Sequence, residues 1–276
     1  LIFEFHRLTP PLDQWIESIF YYKDFQPDHS IERVVPTGHV FIIFELDGIK
    51  RNTFDNESLV VKDTFEKVWI SGVHKNYLSI SAHQDSEMLV IQFKPQGSLP
   101  FLHTPVHTLN DKVVPAQDVL GDTILSLRDE VKNQDKYEHK FSVVERWLNR
   151  RYFEAYTPPE SLLSIVYNLS TKPFNKHKSV VSEYPQTQKN LIDQFKKHCG
   201  YTPKVFHRIC RFNEILRQIG DKEKINWSQI AYEYDYADQS HFIKEFKEFS
   251  GFSPEEFIKN GFHNDEPNFF PLDREG

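Results

Sequence analysis

The sequence predicts an α+β protein. A β-rich sandwich or barrel (residues 1–118) leads into helices (119–172), then an all-α domain (173–262) and a short acidic tail (263–276). Three observations carry this. The first hundred or so residues hold short β-branched and aromatic runs broken by Pro and Gly; from about Val119 the apolar period becomes helical; and beyond residue 180 one helical unit is used twice, with a long helix between the copies. A chain of 276 residues with 39% hydrophobic content has room for two such domains.

The strands come first. "HVFIIFEL" (39–46), "LVVK" (59–62), "KVWISGV" (67–73), "YLSIS" (77–81) and "MLVIQFKP" (88–95) are punctuated by Pro36, Gly38, Gly48, Gly72 and Gly97. Close spacing of many short strands suits a sandwich or small barrel. Phe41, Phe44, Trp69, Tyr77 and Phe93 either line an apolar pocket for an effector or pack together. Three helical stripes follow: Val119, Leu120, Ile124, Leu127 and Val131; Phe141, Val144, Leu148 and Tyr152; Leu162, Ile165, Val166 and Leu169. Each reads as core, with a homodimer seam as the alternative. "STKPFNKHKS" (170–179) reads as a linker, and "HNDEPNFFPLDREG" (263–276) as a tail that is frayed or docked by Phe269 and Phe270.

Charge and cysteine content narrow the function. The net charge of −7 argues against nucleic acid, yet it is unevenly spread. Residues 176–260 carry 14 Lys and Arg against 12 Asp and Glu, whereas residues 1–175 carry 18 against 24. Cys199 and Cys210 have no partners at zinc spacing and make no disulfide framework, which fits a reducing compartment. No run is long and apolar enough to span a bilayer. There is no nucleophile motif, phosphate loop or dinucleotide fingerprint, so the chain reads as a non-enzyme without a cofactor. His39, His74, His83, His103 and His107 are scattered and no H-x-H pair occurs, so no metal is expected.

The stretch "NWSQIAYEYDYADQSHF" (226–242) and its continuation to Phe249 read as a helix-turn-helix. Asp238 suits an N-cap, and Phe242, Phe246 and Phe249 then share one face at i, i+4 and i+7. Ile230 faces inward, Ala231 lets two helices cross closely, and Tyr236 closes the turn. Asp235 stands where such turns need positive φ. An earlier copy has Thr187 as N-cap before "QKNLIDQFKK", with Leu191 and Phe195 matching Phe242 and Phe246; each copy ends in a similar phrase, "GYTPKVF" (200–206) and "GFSPEEF" (251–257). Between them "VFHRICRFNEILRQI" (205–219) puts Phe206, Ile209, Phe212, Leu216 and Ile219 inward, with Arg208, Arg211 and Arg217 around it.

Residues 176–259 resemble the paired helix-turn-helix domain of AraC-type (AraC/XylS) transcription regulators. The likeness is densest in "DYADQSHFIKEFKEFSGFSP", against a branch pattern "GYxDQxHFIxxFKxFxGxxP". "VVPTGHVFIIFELDG", "ISGV" and "VIQFKPQGSLPFL" look like the cupin-like β-rich sensor domain of that branch. The resemblance implies a bacterial, cytoplasmic regulator that lays one recognition helix from each unit into successive major grooves of double-stranded DNA. It also implies a small-molecule effector in the N-terminal domain and, for an activator, contact with RNA polymerase. Carried over position by position, Gln239, Ser240, Ile243 and Lys244 read bases in the second unit and Lys247 meets phosphate. In the first unit, Lys189, Ile192 and Asp193 read and Lys196 meets phosphate.

The first unit departs from the pattern. Asp193 stands where relatives are basic or carry an amide, and Pro185 occupies a turn position usually held by Gly, which excludes positive φ there. These changes predict a unit that grips DNA weakly, reads an unusual base or is reshaped. Two rival readings follow: a regulator acting mainly through protein contacts, and a cupin-like enzyme carrying a vestigial helix-turn-helix.

Overall fold

The alternation of side chains in the apolar strands builds two cores rather than one. The computed structural model of the chain describes residues 1–220, 225–262 and 268–273. Over residues 2–115 run β1 (Ile2–Phe5), β2 (Ile16–Phe25), β3 (Ile31–Val34), β4 (Phe41–Glu45), β5 (Arg51–Phe54), β6 (Val61–Phe65), β7 (Val68–Ser71), β8 (Leu78–Ser81), β9 (Ser86–Phe93) and β10 (Val113–Pro115). They form antiparallel sheets in the orders β1-β2-β9-β4-β7-β10 and β3-β8-β5-β6.

In β4, Ile42 and Phe44 face one way and Phe41 and Ile43 the other, and β9 alternates in step through Leu89, Ile91 and Phe93 against Met88 and Val90. The second set meets Phe65 and Trp69 between the sheets. The first set meets helices: α1 (Leu99–Leu102), α2 (Gln117–Leu120), α3 (Thr123–Lys132) and α4 (Tyr137–Arg151), whose Phe101, Leu120, Ile124, Leu127, Val131, Phe141, Val144 and Leu148 complete one large core. A strand buried on both faces reads as a continuous apolar run, which is why "HVFIIFEL" lacks polar alternation.

The helices predicted between residues 119 and 172 divide between cores. Those named α3 and α4 belong to the N-terminal domain, whereas α5 (Glu160–Thr171) turns Leu162, Ile165, Val166 and Leu169 toward Leu191, Phe195 and Phe206 of the C-terminal domain. After α5 come α6 (His177–Val181), α7 (Gln188–Cys199), α8 (Pro203–Ile219), α9 (Trp227–Glu233), α10 (Gln239–Ser250) and α11 (Pro254–Lys259). Helix α8, with 17 residues, is about 25 Å long and spaces the two halves.

The predicted tail lies outside the described residues except for 268–273, and these are docked. Strand β11 (Phe269–Pro271) pairs antiparallel with β3, extending the second sheet. Phe270 is buried against Phe257 and Phe262 of the C-terminal domain, and the Asp273 carboxylate accepts from the Ser30 and Ile31 amides at 3.0 and 2.9 Å. The tail therefore ties the end of the chain to the edge of the N-terminal sheet.

Candidate nucleic-acid interface

In the second half, α9 and α10 form a helix-turn-helix on an aromatic core. Phe242, Phe246 and Phe249 are fully buried, Trp227 stacks on Phe242 at 5.7 Å, and Phe212 of α8 meets Phe246 and Phe249 at 5.3 and 5.1 Å. Asp238 caps α10 by accepting from the His241 amide at 2.7 Å. Asp235 takes the left-handed conformation, φ 55°, and the Tyr236 amide donates to the Ala231 carbonyl across the turn. With that face filled, Gln239, Ser240, Ile243, Lys244 and Lys247 are exposed. Gln239 has a partner that sequence did not suggest: its Oε1 accepts from the Ser228 hydroxyl at 2.8 Å, leaving the amide NH₂ outward.

One charged residue of α10 faces inward. Glu245, 2% exposed, accepts from Arg211 Nη2, Tyr236 Oη and Arg208 Nε, each at 2.7 Å. Arg211 also donates to the Tyr234 carbonyl at 3.1 Å and lies 3.8 Å over the Tyr236 ring. Burial by itself raises the Glu245 carboxyl, but Arg211, Tyr236 and Arg208 outweigh it and hold the group below the usual carboxylate value. Arg208 and Arg211 are thus committed to bracing α10, whereas Arg217 pairs with Glu214 of its own helix. Sequence inspection missed this role of Glu245; a carboxylate directly before the buried Phe246 was its one visible sign.

In the first half, α6 and α7 occupy the matching places. Thr187 caps α7 by accepting from the Asn190 amide at 3.2 Å. Lys189, Asp193 and Lys196 are exposed and Ile192 is half-buried. The connection, residues 182–187, holds no left-handed residue, so the turn is made without the conformation Pro185 forbids. It has six residues where the connection from α9 to α10, residues 234–238, has five. No counterpart of the Glu245 cluster exists: position 194 is Gln. Instead two histidines are buried. His198 is pushed down to about 4 by burial, with Lys197 adding to the effect, and His207, whose Nε2 donates to the Pro173 carbonyl at 2.9 Å, is likewise lowered to about 4 by burial and by Arg211.

Both α7 and α10 end against the N-terminal domain. Gly200 and Gly251 close α7 and α10 with φ of 86° and 76°. Asn110 Nδ2 donates to the Gly200 carbonyl at 2.8 Å, and Arg33 Nη1 to the Ser250 carbonyl at 3.3 Å, where Arg33 is sandwiched by Tyr77 and Phe252 at 4.1 and 4.4 Å. A Cβ at either glycine would run into these partners, so the repeated "GYTP" and "GFSP" phrases are points where each unit touches the N-terminal domain.

Residues 185–260 match the family model of a helix-turn-helix domain. They form a helix-turn-helix domain of the AraC type. Residues 6–115 match a domain of unknown function (DUF6597), a span that holds β2 to β10 and ends before α2, α3 and α4. Solved structures similar to the whole chain are of ToxT from Vibrio cholerae. One, in the P21 form, shares 12% identity over 88% of this chain and 98% of that one, with a TM-score of 0.46. Another, wild-type ToxT of strain SCE256 with an unsaturated fatty acid bound, shares 14% over 87% and 93%, with a TM-score of 0.42. Comparison with curated proteins returned no match.

Away from the AraC-type domain, the five residues expected around an effector do not converge. Phe44 and Phe93 lie in the helix-facing core, Phe41 and Trp69 between the sheets, and Tyr77 at the Arg33 contact with α10. The reason is strand parity: residues of odd spacing point to opposite faces. Sequence reading missed what does sit between the sheets. Glu45, fully buried, accepts from Trp69 Nε1 at 2.7 Å and from Arg51 Nε at 3.0 Å, and Arg51 also pairs with Asp47. Burial raises the Glu45 carboxyl to about 7, opposed by Arg51 and Trp69. Arg51 Nη1 is buried without a hydrogen-bond partner.

Three of the five histidines considered for metal are separately engaged. His39 Nδ1 donates to the Phe93 carbonyl, His74 pairs with Ser71 and His83 with Ser81. Among the described residues no three His, Cys, Asp or Glu are grouped to hold an ion, and no helix is long and apolar enough to cross a membrane.

Proposed function

We propose that the protein is a sequence-specific double-stranded DNA-binding transcription regulator, read mainly through α10 and secondarily through α7. The observation that carries this is the division of α10. Its apolar face is packed and braced by the Glu245 cluster, while Gln239, Ser240, Ile243 and Lys244 leave amide, hydroxyl, methyl and ammonium groups outward. Those are groups that meet base edges in a major groove, and Lys247 one turn further on suits a phosphate. In the first unit Lys189, Ile192 and Asp193 take the matching reading positions and Lys196 the phosphate position.

We further propose that a small molecule acting on the N-terminal domain controls this reading. Support comes from the buried Glu45, Arg51 and Trp69 cluster between the sheets, with Phe41 beside it. The two C-cap contacts, Asn110 with Gly200 and Arg33 with Ser250, join that domain to both reading helices. A ligand shifts such a system only by binding one arrangement of the units better than another.

The test is selection of bound sites from a random duplex pool at two salt concentrations. A motif covering two major grooves one turn apart is expected. A one-groove motif would make residues 180–197 a structural relic, and sequence-blind, salt-dependent binding would overturn the reading in favour of a regulator acting through protein contacts.

A further inference from the structure

The last turn of α4 and the chain that leaves it, together with His103 at the end of α1, line an open surface depression of about 330 Å³. It is lined by His103, Trp147, Arg150, Arg151, Tyr152 and Phe153. None of these belongs to a reading helix or to the cluster between the sheets. The volume lies at the lower end of small-molecule sites, roughly 300–1,000 Å³.

Two features of the cavity are unusual for a solvated surface. The first is charge: Arg150 and Arg151 stand side by side in a region whose overall balance is acidic, and neither has an ion-pair partner among the described residues. Arg151 is half-buried and already aimed. Its Nε donates to the Phe101 carbonyl at 2.5 Å and its guanidinium lies 5.9 Å from the Trp147 ring, so the two terminal nitrogens are held in one place without an acceptor. Burial lowers its pKa with nothing to offset it.

The second is the aromatic wall. Phe153, in the lining, is 49% exposed and is backed by Tyr156 outside it, their rings 4.9 Å apart, with the His103 ring 6.0 and 5.5 Å from them. His103 Nε2 faces two carbonyls, of Pro100 and Arg151, at 3.1 and 3.0 Å. Nε2 therefore donates to them and holds the ring in place.

We propose that this cavity binds a planar aromatic ring bearing one anionic group. The guanidinium fork matches the two oxygens of a carboxylate or phosphate, and the Phe153 and Trp147 rings offer faces and edges to the ring. A molecule held there touches α1, the end of α4 and the crossing into α5, whose apolar face packs on the first reading unit. This site is separate from the one between the sheets and does not depend on it.

The experiment titrates the full chain with 1-naphthoate, 1-naphthyl phosphate and the uncharged 1-naphthalenemethanol, following heat and tryptophan fluorescence. Saturable one-to-one binding of the anions, and not of the alcohol, is expected; the tighter anion tells carboxylate from phosphate as the natural head group. Arg150→Gln should weaken binding about tenfold, the loss of one charge-assisted hydrogen bond. Phe153→Ala should also weaken it, and Arg146→Gln, an exposed arginine elsewhere on α4, should not. Arg150 and Phe153 are exposed, so both variants should melt like the parent protein. Equal binding of the alcohol, unchanged binding in both variants, or no binding of any probe at millimolar concentration would each overturn the proposal.

Discussion

The two helix-turn-helix units repeat one sequence pattern and are stabilised in different ways. In the second, Arg208 and Arg211 reach from α8 to Glu245, and the turn runs through a left-handed Asp235. In the first, the position of Glu245 is Gln194, the turn avoids positive φ, and α5 supplies the missing packing surface through Leu162, Ile165, Val166 and Leu169. One unit is braced by a buried ion cluster of its own, the other by a helix lent from outside it. The lesson is that a recognition helix needs its inner face filled but not by any particular chemistry. What the filler decides is how the unit responds to acid, to mutation and to movement of its neighbours.

The largest expected effect tests the brace. Glu245→Ala leaves Arg211 buried and unpaired and should cost about 3–5 kcal/mol in urea unfolding, whereas Gln194→Ala should stay within about 0.5 kcal/mol. Equal costs would mean that the ion cluster is not what distinguishes the units.

Acid should separate them next. His198 and His207 stay neutral in the fold down to about 4, while in the unfolded chain they take up protons near 6.5. Their contribution is therefore complete above 6.5 and is lost as pH falls through that window. Glu245 runs the other way: its carboxyl is held below its ordinary value of 4.5, so its contribution is intact above 4.5 and is lost only at lower pH. Hydrogen exchange, corrected for intrinsic rate, should show α7 losing protection between pH 6 and 4.5 before α10 does. Simultaneous loss would erase the distinction.

Smaller effects concern DNA. Lys244→Ala should cost about 1–3 kcal/mol at one base position of the selected site. The matching residue is Asp193, and Asp193→Arg should raise affinity if α7 approaches DNA as α10 does; no change would leave only one unit engaged. Lys247→Ala and Lys196→Ala should each weaken all sequences alike and flatten the salt dependence by about one unit, and a flat response from Lys196 alone would again single out the first unit.

Much of this was legible in the chain because it is written in local rules. The caps Thr187 and Asp238, the left-handed Asp235, the apolar stripes of α7, α8 and α10, and the strand character of residues 39–95 follow from spacing and residue type, which act within a turn or a strand. The outward set of α10 follows once its inward set is known. The aromatic residues of the sheets could not be assigned to one site in this way, because parity separates Phe41 from Phe44 while the partner on each side comes from elsewhere in the chain.

By itself, then, the sequence determined the order of elements, the doubled helical unit and the faces of its helices. Tertiary structure alone decided which core each stripe joins, that Phe270 and β11 fasten the tail to β3, that Glu245 meets Arg208 and Arg211, and that Arg150 and Arg151 are left without a carboxylate among the described residues. The physical reason is range. Helix periodicity and capping are set by neighbours three or four residues away, whereas the pairing of a buried charge depends on which distant segment arrives opposite it, and only packing of the whole chain fixes that.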